Sequence, residues 1–140
     1  MNRRSFVMST AMATLTVSAV GAREPVSMPS LYNPDRSFSD LALSLAGRSV
    51  RVDGFMAPPL KADTNFFVLT EIPMAVCPLC ETSAQWPEDI LAIYARRKLR
   101  VVPYSWPIYA TGRLELGDYM DTDFGFLSRV RLIDAKYGRA

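Results

Sequence analysis

From Ser49 onward the chain alternates apolar and polar residues in steps of two, and each alternating run is cut off by proline or by a turn rich in Gly and Asp. In "SVRVDGF", Val50 and Val52 share one face and Arg51 and Asp53 the other, with Gly54 predicted to bend or bulge the strand. "APPLKADT" must be a loop, because Pro58 and Pro59 cannot donate to a ladder. "NFFVLTEI" is a β-branched and aromatic run ended by Pro73, "DILAIYA" begins after Trp86-Pro87, and a short "LRVV" stops at Pro103. "PIYATGRLELG" sets Ile108, Ala110, Gly112, Leu114 and Leu116 against Tyr109, Thr111, Arg113 and Glu115. "GFLSRVRLIDAKY" reads as a long last strand with Arg129 and Arg131 on its wetter face, reached through the turn-rich "DYMDTDFG". Strand follows strand, some five of them and several with a glycine inside, which predicts an all-β fold, a small closed or partly open β-barrel.

Helical periodicity is confined to "SFSDLALSLAGRS". Ser37 or Ser39 is the expected N-cap, Phe38, Leu41 and Leu45 the apolar stripe, and Gly47 the C-terminal cap of one short helix. Residues 23–36, with three prolines and no period, read as an extended lead-in, so residues 37–140 form the domain.

The first 22 residues run from a basic start through a modest apolar middle to small residues, the pattern of a secretory signal peptide cut after Ala22. Arg3 and Arg4, followed by Ser5, Phe6 and Val7, suit the twin-arginine route, which places the mature protein in the periplasm. The apolar stretch is broken by Ser and Thr and falls short of the ~20 apolar residues of a membrane span. Export also removes two of the 16 Lys and Arg, which leaves the mature chain balanced against its 14 Asp and Glu. A neutral chain is not built to hold nucleic acid, and its one dense basic cluster, Arg96, Arg97, Lys98 and Arg100, is expected as a solvated loop or strand edge.

There is no histidine in the chain. That removes the commonest general base and metal ligand, together with Ser-His and Cys-His nucleophile pairs, and points away from an enzyme. Asp118, Asp121 and Asp123 lack the Gly and Glu of a calcium loop and are expected in a hairpin turn. Asp53 and Arg113 are placed to pair across the sheet. Trp86, Tyr104 and Trp106 sit near prolines, where they could line a ligand face or cap the barrel end.

Both cysteines fall in "AVCPLC", as Cys77 and Cys80. Three readings are open. With Met74 they form Met-x-x-Cys-x-x-Cys, a soft sulfur trio for a thiophilic metal, zinc or copper, although a closed zinc site needs four ligands. A redox pair would sit at a helix N-terminus, yet the following "ETSAQWPED" carries no amphipathic stretch. A local Cys77–Cys80 disulfide is the structural alternative, and its short loop adds less than the ~3 kcal/mol of a 15-residue one.

Gly47, Arg48, Val50, Val52, Gly54, Phe55, Met56, Pro59 and Leu60, then the apolar strand from Phe66 running to Cys77, then Ala110 to Leu114, together resemble a known pattern. It is that of a family of small exported bacterial proteins, the domain-of-unknown-function family DUF3299, and the likeness covers roughly residues 41–135. The resemblance implies an OB-fold-like barrel and an accessory role in the cell envelope beside transporter components, some linked to metal uptake. Cys80 departs from the family's commonest form, in which a proline-rich stretch follows the cysteine. The expectation is therefore a periplasmic, non-catalytic accessory or binding protein. It would handle a thiophilic metal at Cys77, Cys80 and Met74 for an ABC-type transporter, with redox exchange or an OB-type ligand-binding domain as alternatives.

Overall fold

Every strand in this fold has two neighbours. In the computed structural model, which describes residues 24–59, 63–75, 87–123 and 125–140, the strands are β1 (Ser49–Met56), β2 (Phe66–Thr70), β3 (Ile90–Ala95), β4 (Ile108–Asp121) and β5 (Phe126–Arg139). The all-β expectation holds: one mixed sheet pairs in the order β1-β2-β3-β5-β4 and returns to β1. All ladders are antiparallel except β3–β5. The expected signal segment, together with Cys77, Cys80 and Trp86, lies outside the described residues.

The inner face follows from the alternation. Val50, Val52, Gly54 and Met56 on β1 and Ile108, Ala110, Gly112 and Leu114 on β4 are buried, each separated from the next by a residue facing away. In β2 and β3 the residues of both faces are buried, apart from a partly exposed Tyr94. Phe67, Leu69, Leu91 and Ile93 share one face, and each such side chain contributes roughly 1.5–3 kcal/mol on burial. Phe66 and Tyr94 pair on the other face, which the far half of the β4–β5 hairpin covers: Phe126 lies 5.1 Å from Phe66, and Tyr119 lies edge-on to Tyr94 at 6.3 Å. The hairpin turns over there because its register slips between Leu116 and Tyr119, at Gly117 with φ 109°.

β1 does not stop at Gly54 but runs through it to Met56. The glycine answers a close approach: a Cβ would press into the Thr70 carbonyl oxygen and stand 3.1 Å from Leu69 Cγ, at the point where β1 leaves Ile108 of β4 and joins β2. "LRVV" forms no strand, and Pro103 at its end lacks a donor, yet Leu99 and Val102 still pack on the core.

The helix α1 spans Asp40–Leu45, with Ser39 Oγ accepting from the Ala42 N–H at 3.1 Å. Six residues make too few turns for a stripe to set its orientation. Ala42 is its buried residue, while Leu41 is exposed. The lead-in is more than an extended arm: Met28–Leu31 form a 3-10 turn that places Met28, Leu31 and Tyr32 in the core.

Two expectations about charged residues are corrected. Register sets Asp53 opposite Tyr109 and Arg113 opposite Ser49, so Asp53 pairs with Arg51 at 2.9 Å and Arg113 with Glu115 at 3.6 Å. Arg131 is not on a wet face. It is 6% exposed, bonded to Glu115 Oε1 at 3.2 Å and to the Gly117 carbonyl at 2.8 Å, because the turned-over hairpin encloses it. Among the described residues no helix is long and apolar enough to cross a membrane.

Candidate ligand groove

The connection from β3 to β4, residues 96–107, has no regular structure and is nevertheless held at several points. Arg96 N–H donates to the Ala135 carbonyl at 2.9 Å, and Leu99 N–H to the Thr64 carbonyl at 2.7 Å. The Tyr137 hydroxyl accepts from the Arg100 N–H at 2.6 Å and donates to the Arg100 carbonyl at 3.0 Å. Arg96 Nε reaches both the carbonyl (3.1 Å) and the carboxylate (2.9 Å) of Asp134. Asp134 stands at φ 54° in a bulge of β5 that breaks register with β3. Short polar side chains tolerate that left-handed backbone, and the bulge re-aims the strand end that follows.

This bracing fixes one wall of an open groove of about 730 Å³, whose other wall is the end of β5 with the start of β4. Arg96, Arg97, Lys98 and Arg100 come from the loop, and Lys136 and Arg139 from β5. Among the described residues no Asp or Glu lines it. Arg96 is offset by Asp134 and Lys98 by Asp63, whereas Arg97, Arg100, Lys136 and Arg139 have no ion pair among the described residues. Charges of one sign concentrated in a cleft raise the local concentration of the opposite ion.

Three aromatic rings share the groove. The Arg139 guanidinium lies 4.4 Å from the centre of the Trp106 ring, which is 40% exposed. Tyr109 lies over Gly138, its cross-strand partner, where a Cβ would meet the ring at 3.0 Å, and it carries the Arg51 guanidinium at 5.0 Å. Tyr137 meets Phe67 edge-on at 5.2 Å, with its hydroxyl tied to Arg100.

Sequence reasoning named two halves of this site without joining them. The Arg96–Arg100 cluster was expected as solvated, and Trp106 was considered as a ligand-facing aromatic; the fold brings them together and adds Lys136 and Arg139 from β5. Tyr104 is exposed but does not line the groove. Lys136 and Arg139 were missed because only the bulge at Asp134 sets which side of the sheet the end of β5 faces.

Of the sulfur trio, Met74 is partly buried beyond β2, and Cys77 and Cys80 lie outside the described residues. Among the described residues no group of three or more His, Cys, Asp or Glu is placed to hold a metal ion. The aspartates expected in one turn are divided: Asp118 and Asp121 are on β4 and Asp123 is in the turn. Asp121 accepts from the Tyr94 hydroxyl at 2.9 Å and from the Asp123 N–H at 3.0 Å. Burial, and then the Asp121 carboxylate, push the Tyr94 phenol well above its ordinary range.

The fold is similar to that of a DUF3299 family protein. That protein is PA4066 from Pseudomonas aeruginosa PAO1, with 15% sequence identity, 80% of this chain and 73% of that chain covered, and a TM-score of 0.51. The resemblance to DUF3299 read from the sequence thus meets a structure carrying that family's name, and at this identity the likeness is one of fold. No family model matches the chain, and no curated protein matches it.

Proposed function

We propose that this chain is an exported, non-catalytic accessory protein of the cell envelope, built as an OB-fold-like barrel, that binds an anionic ligand in the groove between the β3–β4 connection and the end of β5. The observation that carries the reading is the braced cleft in which six cations and Trp106 meet with no carboxylate side chain among the described lining residues. Arginine forks recognise carboxylate and phosphate, and buried aromatic and Arg anchors dominate binding surfaces. The barrel reading is supported by the returning ladder order and the one parallel pair, β3–β5. OB-type proteins commonly bind on the face of their second and third strands. Here the β4–β5 hairpin already lies on the Phe66 and Tyr94 side of those strands, while the basic groove stands open among the described residues.

Residues 1–22 support export to the periplasm, with the twin-arginine pair Arg3 and Arg4. An ABC-type transporter component is the partner class that the family resemblance implies. Retention on phosphocellulose tests the binding reading. The mature domain should elute later than a variant with Arg97→Glu and Arg100→Glu, and later than a control carrying the same charge change at Arg48 and Arg113. Equal elution of the two variants would show that net charge, not the groove, holds the resin.

The motif Met74, Cys77 and Cys80 favours a second reading, a soft site for zinc or copper. Stoichiometric metal in protein from the cytoplasm, lost on Cys80→Ser, supports it. Metal-free protein with a complete Cys77–Cys80 disulfide removes it.

A further inference from the structure

We infer that the ligand of the basic groove is an acidic oligosaccharide laid along it, its spaced anionic groups meeting the cations one after another; this rests on the reading of the groove as an anion site. A compact single anion is held by donors that converge and are themselves buried. Here all six cationic residues are exposed, and they are spread over residues 96–100 and 136–139 of two separate elements. The groove, at about 730 Å³, has the size of a site for a multi-unit ligand rather than for one phosphate.

The aromatic groups decide between a glycan and a single-stranded nucleic acid. A nucleic acid strand needs successive aromatic faces on which bases stack. Tyr109 is packed against Gly138 and covered by Arg51, and Tyr137 is edge-on to Phe67 with its hydroxyl bonded to the loop backbone. Trp106 is the most exposed of the three rings, Tyr109 and Tyr137 being half-buried, and Arg139 already sits against the indole. One partly open indole is enough to seat the apolar face of one sugar ring. It is not a stacking platform. The flanking Arg97, Arg100 and Lys136 then supply donors for carboxylates on neighbouring units.

Calorimetric titration of the mature domain tests this, using galacturonic acid, its oligomers of increasing length, the same oligomers as methyl esters, inorganic phosphate, and single-stranded oligothymidylate of matched charge. The expected result is an oligomer affinity at least about 100-fold above that of the monomer. No binding of the methyl esters is expected, nor of the oligomer to the Arg97→Glu/Arg100→Glu variant, and Trp106→Ala should weaken it about tenfold. Monomer or phosphate binding as tightly as the oligomer overturns the oligosaccharide inference while the anion site stands. Tighter binding of oligothymidylate overturns the choice of glycan. If the esters bind as well as the acids, or no anion binds, the anion site fails as well. Folding of each variant is checked by near-UV circular dichroism, so that loss of binding is read only from folded protein.

Discussion

A single hydroxyl, that of Tyr137, bonds both the N–H and the carbonyl of Arg100, at 2.6 and 3.0 Å. It thereby fastens the irregular β3–β4 connection to the end of β5, and the two walls of the groove hold a fixed spacing. Tyr137→Phe keeps the ring against Phe67 and removes both bonds. It should cost about 1–3 kcal/mol in urea unfolding, at the usual worth of a hydrogen bond. It should also speed amide exchange at Arg100 and weaken anion binding although no charge has changed. Unaltered exchange at Arg100 would show that the other loop contacts are sufficient.

Removing charge from the groove should do the reverse. Arg97 and Arg100 side chains are exposed and have no ion pair among the described residues. Arg97→Glu with Arg100→Glu should therefore leave stability within about 0.5 kcal/mol per site. Anion affinity should fall, and so should its dependence on salt, since exposed charges are screened over about 10 Å at 0.1 M. Affinity measured across a salt series distinguishes this from a general loss of fold.

Gly54→Ala tests the seam of the ring. Only two registered pairs, Phe55 with Thr70 and Met56 with Leu69, join β1 to β2, and an added Cβ would meet the Thr70 carbonyl there. Because backbone must move, the loss should reach or exceed the 1–3 kcal/mol (about) typical of overpacked cores. Gly47→Ala is a contrasting control: no atom lies within 4 Å of a Cβ there, and the cost is confined to its φ of 78°.

Much of this was legible in the sequence because period two is a local property. The alternation of Val50, Val52 and of Ile108 through Leu114 needs no knowledge of neighbours and matches the buried face. What could not be read depends on register slips. The bulge at Asp134 decides where Lys136 and Arg139 face, and the slip at Gly117 buries Arg131 beneath the hairpin. The basic residues Arg96, Arg97, Lys98 and Arg100 are exposed on a loop, as expected, but nothing local indicates that β5 returns beside them. Leu41 looked like core because a stripe was assumed in a helix too short to impose one.

The covering hairpin makes a prediction about alkali. Tyr94 is partly buried and donates to Asp121, so its proton is held more tightly in the folded chain than in the unfolded one. Its stabilising contribution is complete below the unfolded phenol value near about pH 10 and is lost as pH rises through the higher folded value. Stability should therefore decline above about pH 10, and Tyr94→Phe should make that decline shallower. Urea midpoints at neutral and strongly alkaline pH supply the check; parallel curves for the two proteins would locate the alkaline loss elsewhere.

The most direct test of the anion groove is a map of amide shifts in the isotope-labelled protein of residues 23–140 during titration with an oligogalacturonate. The account predicts saturable changes concentrated in residues 95–109 and 135–139, with the Trp106 indole N–H among the largest. Changes centred on the β4–β5 hairpin or on the segment after β2, with residues 96–100 unmoved, would contradict it.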